Sequence, residues 1–177
     1  MNQESSGWPT TFPQGPPTQL SGRRFRRGGG FAWFANRGTG RPVAESLAQT
    51  MEWFRAWLDP IAPDGRPVIL VGFSGGAAFA GGLLQADPQR FAGTAVLYGT
   101  LPFEAGVPTS PDRLAGATVF LAHGAADTVI PGDLLGRTWD YLLGASGADT
   151  HARKDPGGHA LTAETAAELG AWISERA

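Results

Sequence analysis

The sequence contains no cysteine, and this absence removes several kinds of chemistry. Disulfide bonds, thiolate metal sites and a cysteine nucleophile are all excluded. No run of 18 apolar residues occurs, so the sequence predicts no transmembrane helix. The N-terminus, MNQESSGWPTTFPQGPP, has neither the basic nor the apolar stretch of a secretory signal peptide. We therefore expect a soluble cytoplasmic protein with no membrane span.

An excess of charge of one sign is also missing, because 14 basic and 16 acidic residues leave a net charge of −2. Nothing in this balance draws the chain to nucleic acid or to an anionic membrane. One local exception is the cluster of Arg23, Arg24, Arg26 and Arg27 around Phe25. Such a cluster fits either an RNA or phosphate contact or a solvated loop, and the solvated loop is the favoured interpretation. We expect no nucleic-acid partner.

Composition divides the chain into a short lead-in and one domain. Residues 1–30 are rich in proline and glycine and show no helical or strand periodicity, so they are predicted to form an extended lead-in. The remaining residues, 31–177, are of a length that suits one domain.

Apolar periodicity from residue 43 onward predicts alternating helices and strands. The predicted helices cover residues 43–58, 75–86, 134–143 and a segment from Thr162, and the predicted strands cover residues 67–71, 94–98, 117–122 and 150–154. The first strand is wholly apolar, which is typical of a strand buried on both faces, and the second and third are also predicted to be buried. The fourth is polar and fits a sheet edge. This order predicts an α/β fold with a mostly parallel sheet and helices on both faces.

The segment Gly72-Phe73-Ser74-Gly75-Gly76 matches the G-x-S-x-G pattern of a nucleophilic serine. In a chain with 26 glycines the pattern alone is a weak signal, but its place between a buried strand and a helix makes it specific. The flanking glycines are expected to leave room where side chains would collide. We predict that Ser74 is the nucleophile, with the Gly75 N–H as one oxyanion donor and Phe73 beside it. The alternative is a glycine-rich turn with an uninvolved serine.

A serine hydroxyl needs a base, and three histidines follow Ser74. His159 lies in a loop between the last strand and the last helix, which places it at the same sheet edge as Ser74. His123, at the end of a buried strand, is the alternative base, and His151 lies within the polar strand. We predict that His159 is the base.

The base in turn needs a carboxylate that holds its tautomer. Asp127 follows a buried strand and completes the chain order Ser, Asp, His, so it is the predicted partner. Glu104 and Asp155 are rival carboxylates, although Asp155 could simply cap its own loop. Asp127 could likewise serve only to close an Asx-turn.

These motifs together resemble the phospholipase/carboxylesterase family of α/β-hydrolases, which includes acyl-protein thioesterases. The resemblance runs from about Phe31 to the C-terminus and rests on GFSGG, on LYGTLP at 97–102, on HGAADTVIP at 123–131 and on GGHAL at 157–161. It implies an α/β-hydrolase fold and hydrolysis of small-molecule carboxylic esters or thioesters without a metal or an organic cofactor. It also implies the roles given above for Ser74, Asp127 and His159.

The sequence departs from the family pattern at its beginning. Family members carry extra strands and a His-Gly loop that supplies a second oxyanion donor, but no His-Gly precedes Ser74. We therefore expect an N-terminally shortened hydrolase with an open sheet edge, through which two copies would form a homodimer. Loss of one oxyanion donor costs about 10²–10³ in rate. The alternative function is thus a weakly active or non-catalytic remnant that binds an acyl ligand or a partner.

Leu101, Pro102 and Phe103 follow the second predicted strand and are expected to line the substrate pocket. Only about 19 residues lead from Gly99 to Ala117, where the next predicted strand begins, and this connection is too short for a helical lid. An open pocket with apolar walls suits short- or medium-chain acyl esters. Ordinary loop packing is the alternative for these three residues.

Overall fold

The computed structural model describes residues 25–27 and 30–176. Two small antiparallel hairpins come first: β1 (Phe25–Arg27) pairs with β2 (Gly30–Ala32), and β3 (Asn36–Gly38) pairs with β4 (Arg41–Pro42). Periodicity predicts neither hairpin, because strands of two or three residues are too short to show any. The predicted lead-in falls mostly outside the described residues, and its boundary at residue 30 stays a prediction.

The helices and strands of the main domain then follow one another in the predicted order. The helices are α1 (Ala44–Leu58), α2 (Gly75–Ala86), α3 (Gly132–Asp140) and α4 (Ala163–Ser174), and the strands are β5 (Ile69–Phe73), β6 (Gly93–Leu97), β7 (Thr118–Gly124) and β8 (Asp149–Asp155). Within the described part of the chain these four strands form one parallel sheet in the order β5-β6-β7-β8. The predicted α/β order with a parallel sheet is confirmed, and the polar strand β8 lies at an edge as expected.

The two inner strands are buried because helices cover both faces of the sheet. On one face Ala77 and Leu84 of α2 pack against Val96 and Leu121. On the other face Trp172 of α4 packs in the cluster built on β6 and β7. The burial of apolar side chains from both faces drives the sheet and its helices together.

The register of the sheet brings the carboxyl ends of its strands to one edge. Phe73 pairs with Leu97, Leu97 pairs with Ala122, and Gly124 pairs with Asp155. The loops after β5, β7 and β8 therefore all leave the sheet at the same edge. In open parallel sheets this edge is where ligands bind.

Strand β5 ends the sheet within the described residues and leaves apolar side chains exposed. Val71 is 52% exposed and Phe73 is 42% exposed. Pairing of two copies through this edge stays a prediction. Across the described ranges, no helix has the length and apolar character needed to cross a membrane.

Two neighbouring leucines after α3 allow a matched test of the core. Leu142 is fully buried in the cluster between α2 and the sheet, whereas Leu143 is 48% exposed. Leu142→Ala should lower the free energy of unfolding by about 2–5 kcal/mol, because a cavity remains. Leu143→Ala should change it by no more than about 0.5 kcal/mol. Urea unfolding followed by circular dichroism measures both, and equal losses would contradict this packing.

Candidate active site

Ser74 occupies a sharp turn between β5 and α2. Its backbone has φ +55° and ψ −117°, a conformation that residues other than glycine rarely adopt. Its N–H donates to the carbonyl of Leu97 at 2.9 Å, and its own carbonyl accepts from the N–H of Ala77 at 3.0 Å. Such a backbone costs about 1–3 kcal/mol and persists only where the surrounding structure holds it. The strand-turn-helix context expected around the serine is therefore present.

The turn is possible because helix α2 approaches the sheet at glycines. A Cβ atom on Gly72 would lie 2.1 Å from the carbonyl oxygen of Gly76, and one on Gly99 would lie 2.5 Å from that of Ser74. The expectation that a side chain would collide at a flanking glycine is thus confirmed for Gly72. Gly99, which lies outside the motif, is a second position where a side chain would collide. The same expectation is wrong for Gly76, where a Cβ would meet nothing within 4 Å.

The structure brings Ser74, His159 and Asp127 into one line of hydrogen bonds. His159 Nε2 lies 2.9 Å from Ser74 Oγ, and His159 Nδ1 lies 2.8 Å from Asp127 Oδ2. An ionised carboxylate can only accept, so Nδ1 carries the proton and donates it. Nε2 is then free to accept from the serine hydroxyl. This arrangement suits a serine made nucleophilic by a neighbouring base.

The carboxylate of Asp127 is buried, and every contact it makes favours its charge. Its Oδ1 accepts from the N–H groups of Val129 at 2.8 Å and Ile130 at 3.1 Å, while Oδ2 faces His159. Burial raises the pKa of Asp127, but the hydrogen bonds from His159 and the two backbone N–H groups outweigh it and lower the pKa below 3.8. Asp127 closes its own turn and also faces His159, so the two interpretations are not exclusive.

The other two histidines lie in different surroundings. His123 is buried with its ring 4.9 Å from that of Trp139, and burial followed by the charge of Lys154 lowers its pKa. His151 lies on β8, where its Nε2 is 2.5 Å from a carboxylate oxygen of Glu168. Neither ring has a hydrogen bond to Ser74 among the described contacts.

The rival carboxylates have other partners. Glu104 forms an exposed ion pair with Arg41 at 2.8 Å. Asp155 is buried at the end of β8, where its carboxylate accepts from Tyr98 and from residues of its own strand and of the N-terminus of α4. Neither carboxylate forms a hydrogen bond to His159 in the described residues.

Phe73 and Gly75 flank the serine as expected. The Phe73 ring lies 5.1 Å from the His159 ring. Gly75 begins α2, and N–H groups in the first turn of a helix have no partner within the helix. Its N–H is therefore available to a negatively charged oxygen, and the positive end of the helix dipole favours one there.

Leu101, Pro102 and Phe103 are not placed at the serine. Leu101 and Pro102 are buried and pack against α2, and the Leu101 N–H donates to Thr138 Oγ1 at 3.1 Å, which holds the loop on α3. Phe103 packs on the ring of Tyr141 at 5.9 Å. Ordinary loop packing describes all three, because the loop after β6 folds inward instead of over Ser74.

Two clefts meet at Gly75 and Asn36. The Ser74 cleft has a volume of about 200 Å³, and the apolar cleft has a volume of about 430 Å³. The Ser74 cleft is lined by Asn36, Gly38, Thr39, Gly40, Ser74, Gly75, Ala78, Thr100 and Ile130. The apolar cleft is lined by Ala32, Trp33, Phe34, Asn36, Phe54, Leu70, Val71, Gly75, Gly76, Phe79, Ala80 and Leu83.

Sequence reasoning missed the contribution of residues 36–40 to the Ser74 cleft. The pair of glycines around Thr39 signals a turn, but it does not indicate what the turn faces. Among residues 25–27 and 30–176, no group of three or more acidic or histidine side chains is arranged to hold a metal ion.

The chain is similar to known proteins over most of its length. The profile of a family described as phospholipase/carboxylesterase matches residues 26–174. A Bacillus cereus carboxylesterase superposes with a TM-score of 0.72 at 22% identity, covering 86% of this chain and 72% of that one. A Mesorhizobium loti carboxylesterase gives 0.69 at 25% identity, covering 85% and 72%. Arabidopsis thaliana SOBER1 gives 0.67 at 21% identity, covering 82% and 74%. No curated protein sequence matches the chain.

The lowered pKa of Asp127 makes the stability of the fold depend on pH. Ionised Asp127 stabilises the folded protein above the unfolded pKa of about 3.8, and this contribution is lost as the pH falls through the lowered pKa. The stability advantage of the native protein over Asp127→Asn should thus be largest near neutral pH and shrink toward pH 3. Urea midpoints across this range measure it.

A matched control is Asp133→Asn, because the Asp133 side chain is 69% exposed and its ion pair with Arg41 is long, at 3.4 Å. Exposed pairs of this kind contribute little. An advantage over Asp127→Asn that stays constant from pH 7 to pH 3 would contradict the role given to the buried carboxylate.

Proposed function

The chain belongs to the phospholipase/carboxylesterase family of α/β-hydrolases, and from this premise we propose that it cleaves carboxylic esters or thioesters with short to medium acyl chains. The reaction runs through an acyl-enzyme on Ser74. The observation that supports this most is the line of two hydrogen bonds, 2.9 Å from His159 to Ser74 and 2.8 Å from His159 to Asp127. That line begins on a strained turn at the ligand-binding edge of the sheet.

In the first half of the reaction, His159 Nε2 takes the hydroxyl proton as Ser74 Oγ bonds to the substrate carbonyl carbon. The carbonyl oxygen becomes negatively charged and accepts a hydrogen bond from the Gly75 N–H. Asp127 stabilises the imidazolium that forms. The bond to the leaving group then breaks, and His159 returns the proton to the departing alcohol or thiol.

In the second half, water occupies the place of the leaving group. His159 Nε2 takes a proton from this water, and the resulting hydroxide attacks the carbonyl carbon of the acyl-enzyme. The bond to Ser74 Oγ breaks, and the serine recovers its proton from His159. The carboxylic acid leaves, so one molecule of water is consumed in each cycle.

The apolar cleft is suited to the acyl chain of the substrate. It meets the Ser74 cleft at Gly75, the residue whose N–H faces the reacting carbonyl in this proposal. Its aromatic lining includes Trp33, Phe34, Phe54 and Phe79. Transfer of each CH₂ group from water into such a surface contributes about 0.8 kcal/mol. The volume of about 430 Å³ leaves room for more than an acetyl group.

The first test replaces the nucleophile. Ser74→Ala should reduce hydrolysis of 4-nitrophenyl butyrate by at least about 10³-fold and abolish labelling by a fluorophosphonate probe, since no oxygen remains to attack. Ser174→Ala is the matched control, because Ser174 is an exposed serine in α4 whose hydroxyl bonds only to the carbonyl of Gly170 among the described contacts. Circular dichroism checks that both variants fold.

Equal hydrolysis by the native protein and Ser74→Ala would contradict the assignment of Ser74 as the nucleophile. Absence of both labelling and hydrolysis in the folded native protein would favour the alternative of a non-catalytic protein that binds an acyl ligand or a partner.

The second test measures the acyl preference. The specificity constant kcat/KM for 4-nitrophenyl esters should rise from acetate to octanoate, by up to about fourfold per CH₂ group. Trp33→Ala should flatten this rise while leaving acetate hydrolysis nearly unchanged, because Trp33 lines the apolar cleft and is 62% exposed. Leu143→Ala, on an exposed site outside both clefts, is the control. A preference for acetate in the native protein would contradict the use of this cleft.

A further inference from the structure

Asp155 is a buried carboxylate that takes no part in the proposed chemistry, and its residue is only 1% exposed. It accepts hydrogen bonds from the Tyr98 hydroxyl, from Thr165 Oγ1 at 2.7 Å, from Thr162 Oγ1 at 3.3 Å and from Arg153 Nε at 3.2 Å. Four donors converge on one buried side chain. Such a fully satisfied polar group specifies the arrangement of the segments that meet there.

Asp155 and two of these donors, Thr162 and Thr165, lie at opposite ends of the loop that carries His159. Asp155 is the last residue of β8, and Thr162 is the N-cap of α4, where it also accepts from the Thr165 N–H at 3.2 Å. The loop between them contains Pro156-Gly157-Gly158, which has no polar side chain to anchor it. The Asp155 carboxylate therefore links the end of β8 to the start of α4, on either side of a loop in which residues 156–158 have no polar side chain.

A second path from Asp155 leads to the His159 ring through aromatic packing. Tyr98 is completely buried, and its hydroxyl is tied to Asp155. The Tyr98 ring lies 5.6 Å from the ring of Phe73, which in turn lies 5.1 Å from the ring of His159. Tyr98 thus supports the Phe73 ring, and the His159 imidazole packs on that ring.

The loop is also joined to the segment that carries Asp127. The carbonyls of Asp155 and Gly157 accept from the N–H groups of Ala125, at 2.6 Å, and Ala126, at 2.9 Å. A shift of the loop after β8 would therefore disturb both ends of the His159–Asp127 hydrogen bond.

We propose that Asp155 is a positioning residue that holds the His159 imidazole between Ser74 and Asp127. This inference rests on the proposed function of Ser74 and His159. Asp155 acts at both ends of the loop after β8 and, through Tyr98 and Phe73, on the face of the imidazole. It neither touches the substrate nor moves a proton.

The charges in this network agree with the role. Burial raises the pKa of Asp155, but the hydrogen bonds from Tyr98, Thr165 and Arg153 outweigh it and bring the pKa below its ordinary value. Burial and the contact with Asp155 raise the pKa of Tyr98. At neutral pH the pair is thus a carboxylate and a neutral hydroxyl donor, which is the combination that the hydrogen bond needs.

The experiment compares Tyr98→Phe and Asp155→Asn with the native protein. Tyr98→Phe removes one hydroxyl and keeps the ring, and Asp155→Asn keeps the shape but turns an NH₂ group toward hydroxyl donors. Each should lower kcat for 4-nitrophenyl butyrate about 10- to 100-fold with KM within about twofold, because a small misplacement of a catalytic group costs rate more than binding. Urea unfolding establishes the fraction folded.

The matched control is Glu168→Gln. Glu168 bonds to Arg153 at 2.6 Å and to His151 at 2.5 Å, so it belongs to the outer part of the same network but touches neither end of the loop. This variant should keep kcat within about twofold of the native protein, although it disturbs two hydrogen bonds where Tyr98→Phe removes one.

A second measurement does not depend on turnover. The Nδ1 proton of His159, held against Asp127, should give a downfield proton NMR signal, which Asp127→Asn would identify by its loss. This signal should shift or broaden in Tyr98→Phe and remain in Glu168→Gln. A structural role confined to folding would leave the signal of the folded variant unchanged.

The inference is overturned if folded Tyr98→Phe and Asp155→Asn keep kcat within about twofold, or if activity falls only in proportion to the unfolded fraction. If Asp155→Asn does not fold, Tyr98→Phe decides alone. Failure of the proposed function is a separate result, because it would appear as undiminished activity of Ser74→Ala or as absence of both hydrolysis and fluorophosphonate labelling in the folded native protein. An inactive Ser74→Ala with normal Tyr98→Phe and Asp155→Asn would remove only the role of Asp155.

Discussion

The close packing of α2 against the carboxyl ends of β5 and β6 is the constraint on which the rest of the site depends. At Gly72 and Gly99 the helix and the turn come so close that a Cβ would lie 2.1 Å and 2.5 Å from a carbonyl oxygen. The Ser74 backbone takes a positive φ at this point and is held by the carbonyl of Leu97. The packing of α2 against the sheet compensates for the strain, and the same turn presents the hydroxyl and the Gly75 N–H together.

Two buried carboxylates, those of Asp127 and Asp155, lie in the surroundings of His159. Asp127 bonds to the ring itself and determines which nitrogen carries the proton. Asp155 bonds to Tyr98, whose ring packs on Phe73 beside the imidazole, and to residues at the start of α4. It has no hydrogen bond to the ring among the described contacts. Both are surrounded by donors, which favours the charged form despite burial. In our proposal, a carboxylate in the loop after β7 and a carboxylate at the end of β8 thus serve one imidazole in two different ways.

Part of the wall of each cleft comes from residues 32–40, in which β3 is a strand of only three residues. Residues 32–40 are attached to α1, since the Trp33 carbonyl accepts from Thr50 Oγ1 at 2.9 Å and the Ala35 N–H donates to Ser46 Oγ at 2.9 Å. The aromatic rings of Trp33 and Phe34 pack on Phe79 of α2. The helix that carries the serine and the helix before it therefore jointly hold the surface that faces the proposed substrate.

The sequence by itself determined the order of helices and strands, the parallel sheet and the three residues that meet in the hydrogen-bonded line. Strong periodicity and strand-end positions suffice for these, because parallel strands bring their carboxyl ends to one edge. Only the tertiary structure decided what lines the clefts, the inward fold of Leu101 and Pro102, the need for glycine at 99 and the partners of Asp155. These depend on contacts between residues distant in the chain, such as Tyr98 with Asp155 and Thr138 with Leu101. Local patterns carry no information about such contacts, since many loop paths are compatible with the same short polar sequence.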